Sequence, residues 1–295
     1  MTLADPATER SAHLNGVLLI SLSTIVWASG GLFTRLLPFD LWTIVFWRGV
    51  FGTVFIGAYV LYRFGRTTPA IVWGAGFGGV IVTLCSAATI ILFPAAFLLT
   101  SVANAFTILA ALPFVTAAIA WAWLGERPSG LTMIASAVAM LGIVIMLGPS
   151  AGGPRLGDVF AIVGTLTQAL MIVTIRRNPQ IVMLPMAWAA IILSVLVAYP
   201  LALQLWELGP RDYLVAAGFG LGPMTLGMML YVIGSALIPA ALSALIGTAE
   251  APLGTLWAWV GVGEVPATAT IVGGAIVLAS VIVRLLMEQR AAAKA

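Results

Sequence analysis

The stretch that decides the architecture reads Trp-Ala-Trp-Leu-Gly-Glu-Arg-Pro at residues 121–128, and its ending recurs as Gly-Glu-Val-Pro at residues 263–266. The two Gly-Glu-x-Pro segments lie 138 residues apart, and each closes an apolar run that contains two tryptophans. Each is followed by another apolar run that is rich in glycine and alanine. This recurrence predicts that the chain consists of two related halves.

Further matches extend the repeat along the chain at nearly the same spacing. Gly16, Ala28 and Arg35 correspond to Gly157, Ala169 and Arg176 at an offset of 141, while Asn104 and Pro113 correspond to Ser243 and Pro252 at 139. The drift in offset is expected when insertions and deletions follow a duplication. Chance matches between sequences rich in alanine, glycine and leucine are the alternative, and three collinear sites of agreement weigh against it.

The composition places the chain in a membrane. Apolar residues make up 62% of the 295 residues and charged ones only 8%, whereas soluble domains carry roughly 25% charge. A membrane span needs about 20 apolar residues, so the length accommodates about ten spans. The expected spans are 14–37, 41–63, 70–98, 101–124, 129–148, 156–176, 182–205, 212–236, 239–260 and 267–287. The first run is too long for the core of a signal peptide.

Five spans per half is an odd number, so the second half enters the membrane in the opposite orientation. The predicted fold is therefore an all-α integral membrane protein of ten transmembrane helices, arranged as two five-helix inverted-topology repeats. Its expected parts are a cytoplasmic tail (1–13), a first repeat (14–148), a linker (149–155), a second repeat (156–287) and a second cytoplasmic tail (288–295). With the N-terminus inside, nine basic residues lie on the cytoplasmic side and three outside, as the positive-inside tendency requires. We expect a bacterial-type inner membrane.

Several classes of function find no support in the sequence. One cysteine, Cys85, and one histidine, His13, leave neither an intramolecular disulfide nor a metal centre of His and Cys. The sequence has no Gly-x-x-x-x-Gly-Lys loop for ATP, and no basic cluster longer than two residues that would favour nucleic acid. We therefore expect no cofactor, no metal and no enzymatic activity.

These features resemble the drug/metabolite transporter superfamily, in its EamA-type branch, because each half has Gly-Glu-x-Pro between its fourth and fifth spans. The resemblance covers residues 14–287. Within the branch, Trp-Ala-Ser at 27–29 and Phe-Trp-Arg at 46–48 are similar to bacterial aromatic amino acid exporters. The second half departs from the pattern, since Val265 replaces the basic residue found at Arg127, and Trp188 occupies the position equivalent to Arg48.

The resemblance implies a secondary transporter that is not driven by ATP. Such a protein would export amino acids, aromatic and other apolar ones, by alternating access through a central cavity between the repeats. Its partners would be the small-molecule substrate and the lipid bilayer, and a monomer is plausible. The alternatives are an exporter of drugs or lipophilic cations and another small-metabolite carrier of the superfamily. A membrane enzyme or lipid-handling protein predicts a cluster of catalytic groups at one interface, and the sequence has no such cluster.

Polar and aromatic side chains at helical spacing are the candidates for lining the cavity, since polar groups are costly in lipid unless used or paired. The candidates are Ser23, Trp27, Thr83, Ser86, Asn104, Thr107, Gln168, Met171, Thr225, Met229, Ser243 and Glu250. Helix packing and bonding to the helix's own backbone are the alternative for the small and hydroxyl residues. Prolines 94, 113, 223, 239 and 252 are candidates for kinks that permit gating.

Two charges fall inside expected spans. Glu250 is a candidate proton site or partner for a substrate ammonium group, and the alternative is a structural ion pair with Arg48. Arg48 lies about 12 Å along its helix from the outer end, close enough for its side chain to snorkel to the interface. For Arg48 we expect a structural role.

Overall fold

The computed structural model describes residues 6–100, 102–109, 111–125, 130–147, 156–238, 240–263, 265 and 268–292. All regular structure in these ranges is helical. Six helical stretches are long and apolar enough to cross a membrane, which supports the predicted class of an all-α membrane protein. They are Ser11–Leu36, Leu41–Gly74, Gly76–Leu99, Leu156–Arg177, Met183–Leu201 and Pro210–Ser235.

The helices follow one another with short breaks. In chain order they are α1 (Pro6–Ala28), α2 (Gly30–Leu36), α3 (Leu41–Phe64), α4 (Thr68–Gly74), α5 (Gly76–Leu99), α6 (Val102–Leu109), α7 (Leu112–Leu124), α8 (Gly130–Leu147), α9 (Leu156–Arg177), α10 (Met183–Ala198), α11 (Pro210–Phe219), α12 (Met228–Ser235), α13 (Ala240–Gly247), α14 (Glu250–Val262) and α15 (Thr268–Ala292). Two 3₁₀ turns cover Gly65–Thr67 and Tyr199–Leu201, and a π-helical segment, Gly220–Gly227, joins α11 to α12.

The six membrane-length stretches coincide with the predicted first, second, third, sixth, seventh and eighth spans. The predicted seventh span, 182–205, is too long, because α10 ends at Ala198 and Pro200 lies in the 3₁₀ turn that follows. The third predicted span begins too early, since Gly76 adopts a left-handed φ of 59° between α4 and α5. The four remaining predicted spans fall on shorter, broken or partly described helices.

The sequence explains how α7 and α14 begin and end. Each has a proline in its first turn, Pro113 and Pro252, where the missing N–H of proline costs nothing. Each ends at a glycine with a left-handed backbone, φ 70° at Gly125 and 73° at Gly263. The glycine of each Gly-Glu-x-Pro segment is therefore a helix C-cap, a position that favours glycine because it has no Cβ.

Helices from the two halves pack closely where small residues meet. A Cβ at Gly157 would lie 2.6 Å from the carbonyl carbon of Leu99 and from the backbone nitrogen of Thr100. A Cβ at Gly16 would lie 2.8 Å from the Cβ of Leu237 and 2.7 Å from a methyl group of Ile238. Helices α3 and α10 contact each other, as do α8 and α15. The packing therefore joins each half to the other along its length.

Candidate functional site

The described lining candidates fall largely into two groups of contacts. The first group brings Ser23 and Trp27 of α1 against the π-helical segment, with Glu250 nearby on α14. The second group places Thr83 and Ser86 of α5 against methionines of α9 and α10. Asn104, Thr107 and Pro113 lie outside the residues whose side chains the structure describes, as does Pro239.

The π-helical segment supplies backbone acceptors to the first group. Thr225 donates its hydroxyl to the carbonyl of Gly220 at 2.8 Å, five residues back, as the wider turn of a π-helix permits. Trp27 donates its indole N–H to the carbonyl of Pro223 at 2.8 Å, and Ser23 donates to the carbonyl of Gly227 at 2.8 Å. The carbonyls of Pro223 and Gly227 thus accept hydrogen bonds from side chains of α1. π-Helical turns of this kind are frequent at functional sites.

Two aromatic rings meet beside this segment, and a carboxylate lies on the helix that packs against α1. The ring centroids of Trp27 and Tyr231 are 4.9 Å apart, with an interplanar angle of 35°. Glu250 lies in the first turn of α14, and α14 packs against α1, the helix that carries Trp27. Within the part of the chain that the structure describes, no hydrogen bond or ion pair reaches Glu250. The three side chains form what we call the aromatic-carboxylate cluster.

The second group combines hydroxyl and thioether side chains. Ser86 donates to the sulfur of Met171 at 2.9 Å, and Thr83 donates to the sulfur of Met186 at 3.7 Å. Methionine is an adaptable, polarizable lining for apolar ligands. Gln168 lies half-buried one turn before Met171 on the same helix. This group can therefore contact an apolar substrate, but it carries no charge.

The other described candidates lie in buried or half-buried positions. Met229 is half-buried and packs against the cluster that contains Ile56 and Val60. Ser243 is buried and has a bonding partner. Pro94 lies buried inside α5, and Pro223 lies inside the π-helical segment.

Arg48 neither snorkels nor pairs with Glu250, and both of these alternatives are wrong for the described structure. Its side chain is 5% exposed. The guanidinium donates from Nη2 to the carbonyl of Ile90 and lies 4.7 Å from the centre of the Phe219 ring. The Ile90 carbonyl is available because the residue four positions on is Pro94, which has no N–H to donate. The Nε of Arg48 is buried without a hydrogen-bond partner.

Two of these features are absent from the predictions made from the sequence. Tyr231 was not among the candidates, although a tyrosine in an apolar span, two residues after Met229, was a usable signal. The bond between Arg48 and Ile90 could have been suspected from Pro94, because a buried carbonyl left without its helical donor needs another one. Among the described residues, no group of three His, Cys, Asp or Glu side chains is placed to hold a metal ion.

Replacing Trp27 with phenylalanine tests the indole bond to the π-helical segment. Phenylalanine keeps the aromatic contact with Tyr231 but leaves the Pro223 carbonyl without its donor, which we expect to cost about 1 kcal/mol of stability. Thermal unfolding of the detergent-purified variant should therefore begin a few degrees lower. Trp73→Phe is the matched control, because Trp73 is largely exposed on α4. Equal unfolding temperatures for the two variants would contradict the prediction.

The comparisons with known proteins agree with this picture. Residues 14–148 match the model of the EamA-like transporter family, a part of the drug/metabolite transporter superfamily, which confirms the family resemblance over that range. No curated protein matches the chain. One solved crystal structure is 21% identical, with a TM-score of 0.69 over 95% of this chain and 98% of its own. At that identity the likeness is one of fold. With its six membrane-length helices, the chain is a multi-pass membrane protein.

Proposed function

Since residues 14–148 match a family of membrane transporters, the EamA-like family, we propose that this chain is a secondary transporter that exports amino acids. Aromatic and other apolar amino acids are its substrates, and access alternates between the two sides through a cavity between two repeats. It works without ATP and catalyses no reaction. Transport runs down the substrate gradient or is coupled to an ion.

The proposal includes the ten-helix inverted repeat, and equivalent contacts in the two halves support it. Gly157 approaches residues 99–100 at the end of α5, and Gly16, its counterpart, approaches residues 237–238 after α12. The two contacted pairs are themselves 138 residues apart, the same offset as the two Gly-Glu-x-Pro segments. Contacts repeated at the sequence offset are expected of a two-fold related pair of halves.

A second correspondence lies within the first helix of each half. Thr24 donates to the carbonyl of Ile20 at 2.9 Å, and Thr165 donates to the carbonyl of Ala161 at 2.8 Å. Both threonines are buried, and both pairs are related by the offset of 141. We therefore assign residues 14–148 and 156–287 to the two repeats and 149–155 to the linker between them. Both termini are assigned to the cytoplasmic side of a bacterial-type inner membrane.

The aromatic-carboxylate cluster is the observation that carries the substrate class. A carboxylate attracts an ammonium group, and the faces of tryptophan and tyrosine attract cations and stack with aromatic side chains. The thioethers of Met171 and Met186, both in the second half, add an adaptable apolar surface. An aromatic amino acid presents an ammonium group and an apolar ring at once, so it can use both kinds of contact.

Breaks in the helices next to the cluster provide the freedom that alternating access needs. The chain leaves helical bonding at Ser29 between α1 and α2, and again at 248–249 between α13 and α14. Trp257 donates its indole N–H to the carbonyl of Ile25 at 3.1 Å, just before the first break. Such half-helices let one bundle rock against the other around a fixed site.

Counterflow into proteoliposomes tests the proposed function. Purified protein in liposomes loaded with unlabelled phenylalanine should accelerate uptake of labelled phenylalanine, compared with protein-free liposomes. Unlabelled tryptophan and methionine should compete, whereas glutamate should not. Absence of flux for every amino acid would overturn the proposal.

The second candidate is export of lipophilic cations, which Glu250 and the two rings also favour. The same liposomes separate it from the first: transport of a cationic dye without transport of phenylalanine would establish this candidate in place of the amino acid exporter. The two functions make different demands on a second charged group, because an amino acid brings a carboxylate and a lipophilic cation does not.

A further inference from the structure

One end of the helix bundle carries exposed arginines beside exposed aromatic rings. Arg63 is exposed in the last turn of α3, and Arg66 is exposed in the 3₁₀ turn that follows it. Trp73 and Phe77 stand on either side of the break between α4 and α5 and are 85% and 80% exposed. Arg177 is exposed at the end of α9. Together these side chains form what we call the basic-aromatic surface.

Packing between helices places these side chains at the same end of the bundle. The first turn of α5 meets the end of α9, since a Cβ at Gly78 would lie 3.0 Å from the side-chain amide of Asn178. Val72 of α4 and Ile175 of α9 pack against one buried cluster that contains Ile181. Helix α4 also contacts α3. The ends of α3 and α9 therefore lie on the same side of the membrane.

The length of the helices places this surface at the level of the lipid headgroups. Helices α3 and α5 have 24 residues each, so each is about 36 Å long, whereas the hydrocarbon core is about 30 Å thick. The chain between them, from Gly65 to Ala75, then lies outside the hydrocarbon. Gly76, with its left-handed φ of 59°, turns the chain back into α5. Trp73 stands at the depth that tryptophan favours in membrane proteins.

The described carboxylates outside α14 lie at the opposite end. Thr100, after α5, donates its hydroxyl to Asp158 in the first turn of α9 at 2.7 Å. Asp40, before α3, donates its backbone N–H to the side chain of Gln204 at 3.2 Å, in the loop before α11. The described acidic residues of this end are Asp40, Asp158, Glu207 and Asp212. The basic-aromatic surface therefore meets the lipid headgroups without a described carboxylate beside it.

We propose that the basic-aromatic surface binds the headgroups of anionic phospholipids. Among the described side chains, no carboxylate forms an ion pair with Arg63, Arg66 or Arg177, so their charges are available to phosphate. The guanidinium of Arg177 lies 4.9 Å from the Trp123 ring, a contact that leaves its charge in place. Planar guanidinium groups bind phosphate through paired N–H groups, and clustered arginines at a membrane edge attract anionic lipids. The inference concerns the bilayer and does not depend on the transported substrate.

The connection between α10 and α11, at the opposite face of the membrane, separates the effect of charge from that of aromatic exposure. It also presents a tryptophan, Trp206, that is 76% exposed, but the next residue is Glu207. Arg211, exposed at the start of α11, is followed directly by Asp212. Exposed tryptophan alone would attract any lipid to both connections, whereas the unpaired arginines predict a preference for anionic lipid at the basic-aromatic surface.

The experiment measures the unfolding temperature of the full chain in detergent micelles that contain phosphatidylglycerol or phosphatidylcholine. Phosphatidylglycerol should raise the unfolding temperature of the unmodified protein by several degrees more than phosphatidylcholine does, because a ligand that binds the folded state stabilises it. Arg63→Gln combined with Arg66→Gln should lower the affinity for phosphatidylglycerol about tenfold or more and remove most of this difference. Arg211→Gln, the matched control at the opposite end, should retain it.

A double variant that cannot be purified is replaced by Arg66→Gln alone, at an exposed position in a turn, for which we expect about a fivefold loss of affinity. Equal stabilisation of the unmodified protein by the two lipids would overturn the inference and leave apolar contact as the only attraction. The same shift with inorganic phosphate would identify a site for free phosphate instead of a lipid surface. An equal loss in Arg211→Gln would show that net charge, and no particular surface, attracts the lipid.

Discussion

Replacing Glu250 with glutamine is expected to lower the initial rate of phenylalanine counterflow by about tenfold to a hundredfold at low substrate concentration. Glutamine keeps the size and the hydrogen-bonding oxygen but removes the charge from the first turn of α14, next to the helix that carries Trp27. A charge-assisted bond to an ammonium group contributes about 1.5–3 kcal/mol, and each 1.4 kcal/mol changes affinity about tenfold. The loss should raise the apparent KM more than it lowers the maximal rate.

Glu207→Gln provides the matched control for this prediction. Glu207 is exposed in the loop after α10, where its carboxylate accepts a bond from Gln204, so its neutralisation should leave the kinetics unchanged. Equal kinetics for Glu250→Gln and the unmodified protein would remove Glu250 from the site. If Glu250 is also the proton site, flux driven by a pH gradient should disappear in Glu250→Gln while counterflow at equal pH persists at its reduced rate.

Replacing Gly220 with alanine should produce the largest loss of stability among single methyl additions in the π-helical segment. A Cβ at Gly220 would lie 2.6 Å from the Cβ of Phe51, 2.7 Å from the backbone nitrogen of Gly52 and 2.9 Å from the carbonyl oxygen of Arg48. These atoms belong to the backbone of α3 or are fixed directly to it, so α3 must shift as a whole. We expect a cost of about 1–3 kcal/mol, seen as lower yield and a lower unfolding temperature in detergent.

Gly222 serves as the control within the same segment. Nothing lies within 4 Å of a Cβ placed there, and alanine is the better helix former, so Gly222→Ala should be neutral or slightly stabilising. Similar destabilisation in both variants would mean that the π-helical segment rejects any side chain, and that close packing against α3 is not the cause.

The helical membrane class was predictable because it depends on quantities summed over many residues. Apolar content and the length of apolar runs decide whether a chain crosses lipid, and errors at single positions cancel. The ends of helices were less accurate, since they depend on single residues. Because Gly76 has a left-handed conformation, the third span begins later than expected. The 3₁₀ turn at 199–201 ends the helix of the seventh span earlier than expected. Neither feature changes the hydropathy of its surroundings.

The candidate site was only partly predictable, for a different reason. Trp27 is predictable as a candidate because a tryptophan near mid-span is unusual, but its bond to the Pro223 carbonyl depends on a π-helical turn that has no reliable sequence signature. The partners of Arg48 were missed because Ile90 offers a backbone atom, which every residue has. Which side chain reaches a carbonyl that lacks its helical donor is decided only in the folded structure. The sequence shows only the cause of the missing donor, a proline such as Pro94.

A carboxylate inside a membrane transporter, such as Glu250, has an electrical consequence. An amino acid whose ammonium group is bound by Glu250 is a zwitterion, so its passage moves no net charge and the membrane potential does no work on it. A lipophilic cation satisfies Glu250 alone and carries a unit charge, on which a potential of 100 mV acts with about 2.3 kcal/mol. Without a coupled ion, this arrangement therefore makes amino acid export independent of voltage and leaves the energized membrane opposing the exit of cations.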